Sequence, residues 1–306
     1  METKQSLFAL KGNIIYSKSQ TRLEICEDSY LVCEGNEVKG VYAELPEEYK
    51  GVPVEDYGER LIIPGLVDLH VHAPQYSYRG LGMDMELLEW LETNTFPEEA
   101  KFKDLEYARK SYKIFVDNLR KGATTRACIF ATVHRKATLL LMDLLENTGL
   151  STMVGKVNMD RNCPDYLREE TQESAEETVE WMKDVIHRKY KKTQGILTPR
   201  FIPSCTDELM EMLKMIQMRY QMPVQSHLSE NFGEISWVQE LCPDSEFYGD
   251  AYDRFGLFGV DCKTIMAHCV HSDERELARM KENGVFIVHC PESNMNLASG
   301  IAPIRT

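Results

Sequence analysis

The chain has nine cysteines, an odd number, and no C-x-x-C pair among them. That scatter argues against a disulfide framework and for free thiols in a reducing compartment. No apolar run approaches the ~20 residues a membrane helix needs. The opening METKQSLFAL lacks an apolar segment followed by a small-residue cleavage site, so no signal peptide is expected. Positive charge is scarce: 35 Lys and Arg stand against 49 Asp and Glu, a formal net charge of −14. Phosphate backbones are bound by clustered Lys and Arg, so nucleic acid is excluded as a partner. These absences leave a soluble cytoplasmic protein that works on small molecules.

What is present is a chain of 306 residues, 43% hydrophobic, ample for a packed core. Barrels of alternating strand and helix often reach ~250 residues as one unit. Residues 1–60 hold short β-like pieces, FALKGNIIYS and YLVCEGNEVKGVY, broken by Gly and Asn. They predict a small β-sandwich-like module, with its boundary near Gly58. Beyond it, apolar runs at 61–70, 124–131, 152–158, 195–202, 223–228, 264–270 and 285–290 read as seven buried strands. Helical segments lie between them. In TQESAEETVEWMKDVIHRKY, Ala175, Thr178, Val179, Met182, Val185 and Ile186 fall on one face. In SDERELARMKENG, Ser272 or Asp273 can cap the start and Gly284 can end the helix. Apolar strands alternating with amphipathic helices predict a parallel α/β sheet covered on both faces. The sequence stops at SGIAPIRT after the seventh run. Either the sheet is open or the chain is a shortened piece of an eight-stranded barrel, and the second is the expectation.

The first run ends in LVDLHVH. Residues two apart on a strand point the same way, so His70 and His72 present both imidazoles to one side. They sit at the C-terminal end of the strand, where parallel barrels build active sites. An H-x-H alone is a weak pattern, but PVQSHLSEN ends a later strand in His227 and TIMAHCVHS ends another in His268. Four histidines at one end of three parallel strands can converge on Zn²⁺ or Fe²⁺. Glu230, three residues after His227, can move protons for a metal-activated water. His134, His271 and His289 follow other strand ends, and His187 belongs to a charged, solvated helix face.

Residues 61–306 resemble the metal-dependent amidohydrolase superfamily, and within it the guanine deaminase family. PGLVDLHVH carries the superfamily resemblance. HAPQYSYRGLGMDMELLEWLETNTFPEE at 72–99, VGKVNMDRN at 154–162, TPRF at 198–201, QSHLSEN at 225–231, and MAHCV with VHCPESNMNL within 266–297 carry the closer one. The resemblance implies a TIM-like (β/α)8 barrel over 61–306, incomplete by its last strand–helix unit. It implies His70, His72, His227 and His268 as ligands of one divalent ion, zinc before iron, and Glu230 as proton shuttle. Gln75, Arg200 and Phe201 become purine contacts. The family's further ligand, an aspartate ending the eighth strand, is not reached. Two-metal relatives bridge their ions with a lysine on the fourth strand. Here that strand reads GILTPRF, so one ion is expected and Lys156, on the third strand, is structural or supports the site from behind. Zinc deaminases with P-C-x-x-C are excluded by the missing C-x-x-C.

The implied reaction is hydrolysis of guanine to xanthine and ammonia, in purine breakdown, by a homodimer. A pterin, triazine or other nucleobase is the alternative substrate, and a non-enzymatic scaffold of the same fold the alternative class. MDMELLEWLETNTFPEE predicts a short helix whose Trp90 and Phe96 pack near, or cover, the site.

Overall fold

The structure, a computed structural model, describes residues 6–304. Its contacts divide the chain into two units, Met1–Leu66 and Val67–Thr306. In the first, β1 (Leu7–Ser19), β2 (Arg22–Glu34), β3 (Glu37–Tyr42) and β4 (Val54–Ile62) form one sheet in the order β3-β2-β1-β4. β1 and β2 pair antiparallel, whereas β1 and β4 run parallel. Gly35, at φ +59°, turns β2 into β3. Ala9, Ile14 and Val32 are buried on this sheet. The expected sandwich would need a second sheet, and none is found among the described residues of this unit.

The apolar run 61–70 is not one buried strand. β4 ends at Ile62 and β5 spans Leu66–His72. Pro64 between them has no N–H to give a ladder. Leu61, Ile63, Leu66 and Val67 are all more than half exposed.

The second unit repeats strand and helix. After β5 come β6 (Thr124–Phe130), β7 (Ser151–Gly155) with its continuation β8 (Val157–Asn158), β9 (Thr193–Gly195) with β10 (Thr198–Pro199), β11 (Val224–Leu228), β12 (Thr264–His268) and β13 (Phe286–Val288). They form sheets in chain order, β5-β6-β7-β9 and β11-β12-β13, with β6, β7 and β9 parallel in the first and all strands parallel in the second. The β8–β10 pair and a Leu197–Val224 bridge lie between the two sheets. All seven expected strand positions are therefore occupied, in a TIM-type β/α arrangement.

The helices are α1 (Leu87–Trp90), α2 (Phe96–Ala100), α3 (Leu105–Lys121), α4 (Arg135–Glu146), α5 (Thr171–Arg188), α6 (Asp207–Tyr220), α7 (Phe232–Leu241), α8 (Asp250–Asp253), α9 (Glu274–Asn283) and α10 (Pro291–Asn296). The expected single helix around Trp90 is instead α1 and α2 joined by a π turn, Leu91–Thr95. Pro97 at the start of α2 has no N–H for the preceding turn and forces the wider ring there. In α5 the buried face is Ser174, Ala175, Thr178, Trp181, Met182 and Val185. Ile186, expected on that face, is 57% exposed because it falls one position past the stripe. Asp273 caps α9 by accepting from the Glu276 N–H, and Gly284 ends it at φ +70°.

Buried Tyr112, Leu141, Trp181, Leu213 and Phe258 form the main core, where each large side chain contributes roughly 1.5–3 kcal/mol. A smaller cluster holds Leu87, Leu91, Phe96, Phe130, Met159, Phe201 and Leu297. It lies around the cavity described next.

Candidate active site

A cavity at the C-terminal ends of the strands is lined by His70, His72, His227, His268, Glu230, Gln75, Arg200 and Phe201, the eight residues that the resemblance assigns to the metal, the proton shuttle and the purine. Leu87, Trp90, Leu91 and Leu297 complete its apolar wall.

His70 and His72 end β5 with ring centroids 5.0 Å apart. His227, on β11, brings its Nε2 to 3.0 Å from His72 Nε2. One ligand atom from each of these three lies within 4.8 Å of the others. His268 ends β12, with its ring 5.1 Å from His70 and stacked on His227 at 5.6 Å. An overlapping group joins His70 and His268 to Cys290. Burial pushes the Cys290 thiol up to about 12 and Cys290 does not line the cavity, whereas the imidazoles line it and offer lone pairs without losing a proton.

Burial drives His70, His72 and His227 well below the usual histidine range, and neighbouring imidazoles add to the shift. They are neutral, as metal donors must be. The second nitrogens of His227 and His268 are held as well. His227 Nδ1 lies 2.6 Å from the Arg200 carbonyl and His268 Nδ1 lies 2.8 Å from Asn294 Oδ1. A protonated Nδ1 donating to each oxygen leaves the Nε2 lone pair free toward the centre. The Nε2 atoms of His72 and His227, 3.0 Å apart, share either one proton or a common cation. The donor set therefore fits one divalent ion.

Glu230 is 2% exposed. Its Oε2 lies 3.3 Å from His268 Nε2 and its Oε1 accepts from the Ser299 hydroxyl at 3.4 Å. Burial raises its carboxyl to about 8. A group balanced near neutrality can both take and return a proton. Its backbone N–H donates to Glu234 Oε2 at 3.0 Å, while Tyr248 donates to the other Glu234 oxygen at 2.7 Å. Glu234 also belongs to the capping box of α7 with Asn231. The strand ends here are strained: Ser229, His268 and Cys269 have φ of +47°, +75° and +50°. Non-glycine residues held there cluster at functional sites.

Gln75 follows β5 on a short 3-10 turn, Pro74–Tyr78, and is half-buried at the cavity. Phe201 is buried, with its ring 6.5 Å from Trp237. Arg200 is buried in a bidentate ion pair with Glu99. Sequence patterns gave no sign of Glu99 or Asn294, because their partners lie 101 and 26 residues away. His289, just after β13, is exposed and outside the cavity. His271 donates its Nε2–H to the Ser299 carbonyl, 2.7 Å away, and His187 is exposed. Lys156 is fully buried and pairs with Glu169 at 2.6 Å.

A parallel β/α unit gathering neutral imidazoles and a buried carboxyl at its strand ends defines a metal-dependent hydrolase. The sequence profile described as the amidohydrolase family matches residues 61–306, and the chain belongs to that family. It is similar to the guanine deaminase of C. acetobutylicum, whose crystal structure has guanine in the active site. That chain is 47% identical, with a TM-score of 0.94, over 98% of this chain and 71% of the other. The guanine deaminase of Dictyostelium discoideum is 38% identical over 100% of this chain and 71% of its own length. That of Mus musculus is 42% identical over 78% of this chain, which spans only 52% of the mouse protein.

Proposed function

We propose that the chain hydrolyses guanine to xanthine and ammonia. The observation that carries this reading is the Glu230 carboxyl 3.3 Å from His268, in the cavity where His70, His72 and His227 converge. The relatives named guanine deaminase, one of them solved with guanine bound, support the choice of substrate.

His70, His72, His227 and His268 would hold the ion. Uncharged imidazole nitrogens suit zinc first and iron second. When bound, such an ion makes water acidic enough to supply a nucleophile at neutral pH. Water adds to C2 of guanine, and the bond from C2 to the exocyclic amine breaks. Glu230 takes one proton from the water and passes it to the ring nitrogen beside C2, where it stays; it then carries the proton of the new C2 hydroxyl to the amine, which leaves as ammonia while that oxygen becomes a carbonyl of xanthine. Arg200 holds the purine carbonyl oxygen with its fixed N–H fork. Gln75, with a donor and an acceptor on one amide, reads an adjacent ring edge, and Phe201 packs on the ring. Adenine leaves these donors unpaired and is rejected.

Ammonia release from the zinc-loaded chain should be at least about a hundredfold faster on guanine than on adenine. Glu230→Gln should lower kcat by about 10²–10⁴ with zinc content unchanged. Equal rates on the two purines, or a folded chain that takes up no metal, would overturn the proposal.

A further inference from the structure

Arg200 and Glu99 are 2% and 1% exposed. Arg200 Nη1 donates to Glu99 Oε2 at 2.7 Å and Nη2 donates to Oε1 at 3.3 Å. Arg200 lines the cavity, whereas Glu99 stands behind it on α2. From the same short helix, the Phe96 ring lies 5.2 Å from the guanidinium carbon. One segment therefore supplies both the counter-charge and an aromatic face for the arginine.

We propose that Glu99 is a positioning residue. It clamps the Arg200 guanidinium so that its remaining donors face the substrate's 6-carbonyl oxygen, and thereby sets a preference for 6-oxopurines. A guanidinium has five N–H groups in one plane. Glu99 engages two of them in a fork, which fixes that plane and leaves three. A buried cation without such a partner is strongly disfavoured and would turn toward any available acceptor. With the plane fixed from behind, a carbonyl oxygen in the cavity meets donors already aimed. A ring lacking that oxygen strands them. The inference rests on the proposed contact between Arg200 and the substrate, and the test separates the two.

Calorimetric titration of the zinc-loaded full chain with xanthine and with 2-hydroxypurine reads the effect. Xanthine keeps the 6-carbonyl and 2-hydroxypurine lacks it, and both avoid turnover. Zinc occupancy is matched across variants. The wild type should prefer xanthine. Glu99→Gln should weaken xanthine by about tenfold and 2-hydroxypurine by less than about twofold, as for weakening one charge-assisted hydrogen bond. Glu99→Asp keeps the charge and the fold but withdraws the carboxylate by one methylene, and should shift the preference the same way by less. Arg200→Met should abolish the preference, and adding Glu99→Gln to it should change nothing further. If Glu99→Gln and Glu99→Asp weaken both ligands equally or neither, while Arg200→Met removes the preference, Glu99 has only a structural role and the inference fails. If Arg200→Met keeps the preference, the Arg200 contact itself is wrong and the inference falls with it.

Discussion

Glu169→Gln is expected to destabilise the chain more than Lys156→Met, although the two residues share one ion pair. Lys156 is 0% exposed at its side chain and Glu169 12%. In Glu169→Gln the ammonium keeps the Val157 carbonyl at 3.2 Å and has a neutral amide oxygen in place of its counter-charge. The same change weakens acceptance from the Ser174 hydroxyl at 2.9 Å and the Met159 N–H at 3.3 Å. Stranding one member of a buried pair costs about 3–5 kcal/mol. Without Lys156, Glu169 keeps both of those donors and some contact with water. The loss is then one charge-assisted hydrogen bond, about 1.5–3 kcal/mol. Near this chain length a kilocalorie lowers Tm by roughly 2 °C, so Glu169→Gln should cost ~6–10 °C. The double variant removes both charges and should recover part of that loss, since no buried charge is then left without a partner. Thermal unfolding followed by tryptophan fluorescence, with buried Trp181 on the adjoining α5, measures all three. A double variant melting below Glu169→Gln would refute the reasoning, because the penalty would then not be an uncompensated charge.

Three further outcomes are expected. Chelation should lower Tm and zinc should restore it, and His72→Ala should take up far less zinc at a matched free concentration, measured by atomic emission. Burial, with Lys103 and Lys156 nearby, lowers His134 to about 4. The unfolded chain then binds a proton that the folded chain refuses between about 6.5 and 4, so stability is present above that window and lost as pH falls through it. His134→Gln should make the fall in Tm over that window shallower, and an unchanged slope would remove His134 as a cause. Gly155→Ala should cost about 1–3 kcal/mol in denaturant titration, because a β-carbon there runs into the Thr198 side chain and meets the Ile196 carbonyl at 2.8 Å.

The imidazole positions could be read from the sequence because they depend on local rules. Alternation along β5 puts His70 and His72 on one side, and apolar runs ending in His227 and His268 mark the same end of parallel strands. The cap at Asp273 and the stop at Gly284 are local too. What could not be read depends on partners distant along the chain. The Arg200–Glu99 pair spans 101 positions, and neither residue type announces the other. Ile186 kept helical spacing but sits just past the edge of the buried stripe, where periodicity alone places a residue within about one position. The run 61–70 failed for a different reason: hydropathy is blind to a missing N–H, and Pro64 splits the ladder.

The anchoring of Glu230 has a consequence for how this fold can change. Its main-chain amide is tied to Glu234, which also secures the first turn of α7 and is gripped by Tyr248. The carboxyl proposed to move the proton is thus bolted to a helix terminus, whereas Leu87, Trp90 and Leu91 reach the cavity from the short segment after β5. Divergent descendants could rework that segment to admit rings of other shapes and keep the hydrolytic apparatus intact, while a disturbed α7 cap would disable it for every ring alike.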